Sequence, residues 1–168
     1  MKKHFSMICA VLMSTAMMAQ EGSMFVGANV NYGVYSNRNE FGLGAKFQYE
    51  FIDQWRGEAS ANYYFEQNDI STWDFSANLH YILPMPQGFN IYPLAGVCFD
   101  YIHAKVHYLD IERQVQSYIR TTSRLGLNLG AGIEYPLSSQ FKVNAEVKYQ
   151  IVQGYNRPVI SLGVAYAI

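Results

Sequence analysis

The stretch FGLGAKFQYEF, residues 41–51, changes character at every step along the chain. Its odd-numbered positions carry only apolar or aromatic side chains, whereas its even-numbered positions carry Gly, Gly, Lys, Gln and Glu. Successive side chains of a β-strand point to opposite faces of the sheet, so a period of two produces one apolar and one polar face. This stretch therefore predicts a β-strand that separates an apolar environment from a polar one.

The same period of two recurs along the rest of the chain. Eight segments share it, and their apolar faces span residues 26–34, 41–51, 59–65, 73–83, 89–101, 125–135, 141–151 and 160–168. Tight connections alternate with longer, more polar ones, the tight set being 52–55, 84–88 and 136–139 and the longer set 36–40, 67–72, 104–120 and 153–157. This pattern predicts an all-β fold, an eight-stranded antiparallel up-and-down transmembrane β-barrel with periplasmic turns and extracellular loops.

The composition argues against several other classes of protein. Of the 168 residues, 50% are hydrophobic and 15% are charged, whereas an average soluble domain has about 25% charged residues. Tyrosine leads the aromatic residues, with 14 Tyr, 10 Phe and 2 Trp, which favours strands and membrane interfaces over helices. The 12 Lys and Arg residues balance 13 Asp and Glu residues without a basic block, so no nucleic-acid partner is expected.

The first residues have the features of an export signal. Two lysines follow the initial Met and precede an apolar stretch without acids or bases, which ends in small residues near Ala16 and Ala19. Residues 1–19 therefore predict a cleaved signal peptide, and residues 20–168 predict one barrel domain; cleavage after Ala16 is the alternative. Cys98 is then the one cysteine of the mature chain, so no intramolecular disulfide is expected.

Alternation alone does not decide which face of the barrel points outward, because a soluble lipocalin-like barrel turns its apolar face inward around a ligand. The aromatic residues of the apolar face gather at the strand ends. At the loop end they are Phe41, Phe65, Trp73, Tyr101 and Tyr149, and at the turn end they are Phe51, Tyr81, Phe89, Tyr135, Phe141 and Tyr166. Aromatic rings settle at the two headgroup levels of a bilayer, so the apolar face is predicted to contact lipid.

With these features the sequence resembles the small outer-membrane β-barrel proteins of the OmpA/OmpX and opacity type. The resemblance covers the mature chain and includes the final strand VISLGVAYAI, residues 159–168, of the kind that the insertion machinery reads in that family. The chain ends in Ile168, where the family usually has an aromatic residue. The resemblance implies the outer membrane of a Gram-negative bacterium, with outer-membrane lipid and lipopolysaccharide as partners. Family members are structural anchors, adhesins, invasion or immune-evasion factors, and a few modify lipids.

The polar face supplies the interior of the predicted barrel. Its polar network is predicted to consist of Lys46, Glu50, Arg56, Glu58, Glu66, Asp74, His80, Asp100, Arg124, Glu134, Lys142, Glu146 and Lys148. Side chains fill an eight-stranded barrel, so these charges are expected to pair into a plug. The alternative is a narrow gated pore, in which an inward ion pair exchanges partners and opens a water path. His80 is expected to be a hydrogen-bonded interior residue, because no second histidine shares its strand and face.

The connection 104–120 is the main candidate for a functional surface. Strand-forming apolar and aromatic residues recur along it, namely Val106, Tyr108, Ile111, Val115 and Tyr118. They are expected to extend the two flanking strands above the membrane as a ribbon. Its edge can pair with a strand of a protein partner, and its tyrosines suit a contact surface. A protruding hairpin without a partner is the alternative. We therefore predict an integral outer-membrane protein with a structural or surface-interaction role in adhesion or partner binding.

An enzymatic alternative rests on His103, His107 and Ser123, which fall on the outward face near the top of neighbouring strands. Outer-membrane lipid A deacylases use a serine and a histidine at this height, but they carry them two residues apart on one strand. Here His103 is followed by Ala104 and Lys105, so the pattern does not transfer. We predict a monomer that is not an enzyme and has no cofactor, because the histidines are scattered and no carboxylates have metal-ligand spacing.

Overall fold

The computed structural model describes residues 22–35, 38–52, 54–67, 69–109 and 115–168. For residues 106–109 and 115–119 it describes only the backbone. The predicted signal peptide, residues 1–19, lies outside these ranges. The described residues form nine strands, which are β1 (Met24–Tyr35), β2 (Arg38–Ile52), β3 (Trp55–Gln67), β4 (Ile70–Tyr81), β5 (Leu83–Pro84), β6 (Asn90–Leu109), β7 (Val115–Pro136), β8 (Phe141–Val152) and β9 (Arg157–Ala167).

These strands form one antiparallel sheet that closes on itself. The sheet neighbours run β4-β3-β2-β1-β9-β8-β7-β6-β5, and β4 also pairs with β6. Strand β5 has two residues and continues the line of β4 beside β6, so the wall of the barrel has eight strands. The prediction of an eight-stranded antiparallel up-and-down barrel is confirmed. Among the described residues, no helix has the length and apolar content needed to cross a membrane.

The two faces of the wall differ sharply in polarity. Register partners on neighbouring strands point to the same face of the wall, as do the outward-facing Ala28 of β1 and Ala45 of β2. Large apolar side chains are exposed on the outside, where Leu125 is 71% exposed and Leu162 is 62% exposed. Polar side chains are buried inside, and Arg56 has an exposed fraction of 0%. This arrangement is the reverse of a water-soluble barrel and gives an apolar exterior for lipid contact.

Aromatic rings pack against each other at both ends of the exterior. At the extracellular end, the rings of Tyr63 and Trp73 lie 4.8 Å apart between neighbouring strands. At the periplasmic end, the rings of Phe141 and Tyr166 lie 4.9 Å apart, and Trp55 makes a similar contact with a ring of β4. Such pairs stabilise the ends of the wall, because ring contacts between register neighbours add to the energy of simple area burial.

The extracellular rim is uneven in height. Strand β4 pairs with β6 as far as Ile70 and Ala104, whereas β6 and β7 stay paired as far as Leu109 and Val115. Residues 105–109 and 115–119 therefore form a two-stranded ribbon above the neighbouring wall. Strand β8 pairs with β7 only from Gly126 downward. Residues 115–125 of β7 have no strand partner on that side among the described residues, and we call them the free edge.

Candidate functional site

The lower lumen is filled by an ion-pair cluster centred on Arg56. Its Nη1 atom donates to Glu134 at 2.6 Å and to Glu50 at 3.4 Å. Lys142 approaches the same two carboxylates from the opposite wall, at 3.3 Å from Glu50 and 3.6 Å from Glu134. Two cations and two anions thus neutralise one another near the periplasmic mouth, where Glu50 is the most exposed member. A buried guanidinium needs this pairing, because a single buried charge is costly.

His80 is held in one neutral tautomer by the same cluster. Arg56 donates from Nε to Nδ1 of His80 at 3.2 Å. Because a guanidinium only donates, Nδ1 must accept and the imidazole proton sits on Nε2. The imidazole stacks on the ring of Tyr92 with centroids 4.8 Å apart, and the Tyr92 hydroxyl donates to Glu146 at 2.8 Å. His80 is therefore an interior packing residue in this structure.

Lys46 connects opposite walls of the barrel at mid-height. Its Nζ atom lies 3.4 Å from Glu146 of β8 and 3.7 Å from Glu58 of β3. Gln48 and Asn78 also donate to the Glu58 carboxylate, at 2.8 and 3.2 Å. The contact between Lys46 and Glu146 joins β2 and β8, which are not neighbours in the sheet, so it crosses the lumen. The three contacts of Glu58 join adjacent strands and line the wall.

Above this level the lumen contains mainly amides and hydroxyls. Asn62 accepts hydrogen bonds from both Asn29 and Asn31 at 2.9 Å. On the other side, Asn128 donates to Asn78 at 2.9 Å. Amide side chains suit this region because each both donates and accepts. Asn62 passes the network on to the Asp74 carboxylate, to which it donates at 2.7 Å.

The upper lumen is organised by Arg157, the first residue of β9. Its Nη1 donates to Glu40 at 2.6 Å, its Nε donates to Gln150 at 2.7 Å, and Asp100 lies 3.4 Å from its Nη2. The guanidinium lies 4.1 Å from the ring centre of Tyr64. Arg157 is fully buried, so its pair with Glu40 is a third cross-lumen ion pair, near the extracellular end of the barrel.

Most residues of the predicted polar network lie in the lumen, but two do not fit the prediction. The alternation places Glu66 inside, yet Glu66 is exposed and pairs with Lys105 at 2.7 Å. The register of β3 shifts between Tyr64 and Gln67, which takes Glu66 out of the inward series. Arg124 lies at the rim, where its Nη1 donates to the backbone carbonyl of Gln153.

The alternation of the sequence also fails to identify some residues that the structure places at the centre of the lumen network. The sequence predicts Glu40 and Arg157 in the connections 36–40 and 153–157, but they belong to β2 and β9. The prediction is wrong because polar residues at strand ends look like loop residues, and their ion pair forms only across the closed barrel. Tyr92 and Tyr155 are buried and are also missed. Tyr92 is an aromatic residue on the inward face of β6, and Tyr155 lies between β8 and β9, where alternation gives no direction. For Tyr92, even spacing from neighbouring inward positions is a usable signal.

The ribbon lies beside an exposed ion pair at the rim. Lys105 and Glu66 are both largely solvent-accessible, and the hydrogen bond to Glu66 raises the pKa of Lys105. Of the residues predicted to form the contact surface, Val106, Tyr108, Val115 and Tyr118 lie on the ribbon strands, and Ile111 lies outside the described residues. The prediction that the connection 104–120 extends its flanking strands is confirmed for the backbone of 104–109 and 115–120, the part of it that the structure describes.

The outward residues of the enzymatic alternative do not form a dyad. His103 is the register partner of Thr121, whereas Ser123 is the register partner of Tyr101. The imidazole of His103 packs against the Tyr101 ring in a T-shaped contact with centroids 4.7 Å apart. Across the described part of the chain, no three His, Cys, Asp or Glu side chains are grouped in a way that could hold a metal ion.

The fold of this barrel is similar to that of several solved barrel structures. The N-terminal barrel domain of Pseudomonas aeruginosa OprF matches with a TM-score of 0.64 at 17% identity, covering 88% of this chain and 100% of that one. A major outer-membrane protein of Thermus thermophilus matches with a TM-score of 0.70 at 12% identity, covering 89% and 100%. The attachment invasion locus protein Ail of Yersinia pestis matches in complex with the heparin analogue sucrose octasulfate, with a TM-score of 0.57 at 19% identity, covering 88% and 97%.

At these identities the similarity to solved structures establishes the fold alone. A comparison with curated protein sequences finds no match. The family model described as outer membrane protein beta-barrel domain matches residues 7–167, nearly the whole chain. A barrel of this family has to close its sheet and turn an apolar face to the lipid, and the present structure does both. The chain therefore belongs to the outer membrane protein beta-barrel domain family and is an integral protein of the outer membrane.

Proposed function

We propose that this protein is a non-enzymatic surface protein that binds a protein partner through the β6–β7 ribbon and its free edge. The proposal rests on the length of β7. Its residues 115–125 extend above Gly126, the last residue of β7 that pairs with β8. Along a paired strand, alternate backbone N–H and C=O groups point to each side. On the free edge, the groups that point away from β6 are available to an incoming strand.

The charge of the free edge favours an acidic partner segment. Arg120 and Arg124 lie on it, and the sequence from Val115 to Ala131 contains no acid. Arg120 is exposed, and an arginine fork matches carboxylates well. The structure of Ail with the polyanion sucrose octasulfate provides a precedent for an anionic ligand on a barrel of this fold. A strand carrying Asp or Glu would therefore suit the side of the free edge on which no described strand pairs with β7.

The filled lumen supports an anchoring role for the barrel. Ion pairs and hydrogen bonds cross it at three levels, through Arg56, Lys46 and Arg157. Such a network stabilises a closed barrel and offers no wide path for a solute. The separation of His103 from Ser123 in the register supports the absence of a deacylase-like activity. The barrel then serves to hold the ribbon at the cell surface.

A pulldown from envelope extracts tests this function. The intact protein is compared with a variant in which residues 106–119 are replaced by a short Gly/Ser turn, and captured proteins and lipids are identified by mass spectrometry. A second variant, Tyr108→Thr with Tyr118→Thr, keeps strand-forming residues on the ribbon and serves as a matched control. Pairing through the backbone predicts that the short variant loses the partner and that the double threonine variant retains it.

Other outcomes point elsewhere. A partner that both ribbon variants still capture would contradict the assignment of the contact surface. Deacylated lipid A that appears only with the intact protein would replace the proposal with an enzymatic one. In that case His103→Ala and Ser123→Ala would be the next variants.

A further inference from the structure

Two aspartates face each other in the upper lumen. Asp74 of β4 and Asp100 of β6 are register partners, and both are fully buried. Side chains of register partners on neighbouring antiparallel strands have Cβ atoms about 4.5–5.5 Å apart, so the two carboxyl groups share one small region of the lumen. Two ionised carboxylates this close repel each other in an interior of low dielectric constant. The pair therefore requires a proton, a cation or a strongly bound counter-charge.

The two carboxyl groups have unequal surroundings. Asp74 accepts from Asn62 at 2.7 Å, from Gln150 at 2.9 Å and from the Ser76 hydroxyl at 3.0 and 3.2 Å. Asp100 has one long contact, 3.4 Å from its Oδ1 to Arg157. Its Oδ2 has no hydrogen-bond partner among the described residues. Asp74 is thus well solvated by fixed donors as an anion, whereas Asp100 is not.

The cations around the pair are shared with other groups. Arg157 lies closer to Glu40, at 2.6 Å, than to Asp100. Arg124 is the register partner of Asp100 on β7, but its guanidinium binds the backbone carbonyl of Gln153. Lys148 of β8 is buried in the lumen, and its charge stabilises the carboxylates of both Asp74 and Glu58. Asp100 is left with one ion pair, the 3.4 Å contact between its Oδ1 atom and Arg157, and no described donor reaches its Oδ2 atom.

We propose that the Asp74–Asp100 pair is a proton-binding site, with one proton on Oδ2 of Asp100 that is donated towards the Asp74 carboxylate. A proton suits the site better than a metal ion. The oxygens of Asp74 already accept four donor contacts, and the Arg157 guanidinium beside Asp100 repels a second cation. One proton satisfies the free Oδ2 atom and leaves Glu40 with Arg157 as the ion pair of the upper lumen. The proton thus allows the lumen to stay closed without an unpaired charge.

Two isosteric variants distinguish the members of the pair. Asparagine mimics a protonated aspartate, so Asp100→Asn is expected to fold and to unfold at the same urea concentration as the unaltered protein or a higher one. Asp74→Asn removes the anion that three neutral side chains solvate, so its unfolding midpoint is expected to fall. Infrared spectroscopy of the refolded protein at neutral pH is expected to show a protonated-carboxyl band that Asp100→Asn abolishes. Glu66→Gln, at an exposed carboxylate, is the control and leaves the band unchanged.

Several results would overturn the proposal. One is the absence of a protonated-carboxyl band in the unaltered protein, and another is failure of Asp100→Asn to fold. A third is an unfolding midpoint that sodium, potassium or magnesium chloride raises in the unaltered protein but not in Asp100→Asn. That last result would assign a metal cation to the site in place of the proton.

Discussion

Arg157 illustrates how one residue determines the stability of the lumen. It is fully buried and contacts Glu40, Gln150 and Asp100. Arg157→Met keeps much of the volume but leaves the buried Glu40 carboxylate without its close partner. Breaking one side of a buried pair costs about 3–5 kcal/mol, so we expect the free energy of unfolding to fall by that amount. Urea titration of the refolded protein in detergent or lipid vesicles measures it.

Lys105→Ala is the control for this prediction. Lys105 is also paired, but its partner Glu66 and its own side chain are exposed. Water screens such pairs, so the unfolding midpoint of Lys105→Ala is expected to match that of the unaltered protein. An equal fall in the free energy of unfolding of the two variants would contradict the prediction that burial in the lumen makes the Arg157 ion pair more important for stability.

Gly96 shows a second residue-scale requirement, the close approach of strands and side chains inside a narrow barrel. A Cβ atom at Gly96 would lie 2.2 Å from the backbone oxygen of Ala77 and 2.4 Å from Oδ1 of Asn78. Gly96→Ala therefore forces the backbone to move, and overpacking of this kind costs about 1–3 kcal/mol. At Gly57 the nearest atom would be 3.7 Å away, so Gly57→Ala is expected to be neutral. The comparison uses the same urea titration, and a neutral Gly96→Ala would contradict the packing of β4 against β6.

At the scale of elements, the ribbon is structurally separate from the wall that it extends. The lumen contacts of Arg56, Lys46 and Arg157 all lie below it. Replacing residues 106–119 by a short turn is therefore expected to leave the unfolding midpoint of the barrel unchanged, even where it removes partner binding. Long loops of a barrel change stability little because closure entropy depends weakly on their length. A large fall in the midpoint would show that the ribbon supports the wall.

At the scale of the whole molecule, the closed sheet leaves no open strand edge within the lipid-facing part of the described wall, because β4 pairs with β6 and β1 pairs with β9. Closed barrels satisfy every backbone group internally and resist detergent at room temperature. The purified protein is therefore expected to migrate differently on gels before and after boiling. Identical migration of boiled and unboiled samples, together with a soluble monomer in the periplasm, would contradict the membrane assignment.

The strands, their number and the outward direction of the apolar face follow from the order of residues alone. A period of two is a local property, and a strand such as 41–51 displays it without reference to any other part of the chain. Aromatic residues at the strand ends then indicate lipid contact, because a bilayer imposes the same two interfaces on every strand. These features depend on the solvent and on local geometry, so the sequence is sufficient to predict them.

The contacts between interior residues, in contrast, depend on the tertiary structure. Glu40 and Arg157 are 117 positions apart and both resemble loop residues in the sequence, yet they form the upper ion pair. Glu66 keeps the inward parity but leaves the lumen where the register of β3 shifts. The pairing of Asp74 with Asp100 depends on the register between β4 and β6. Barrel closure and the stagger of the strands determine which interior residues come into contact, and the local alternation of residues encodes neither of them.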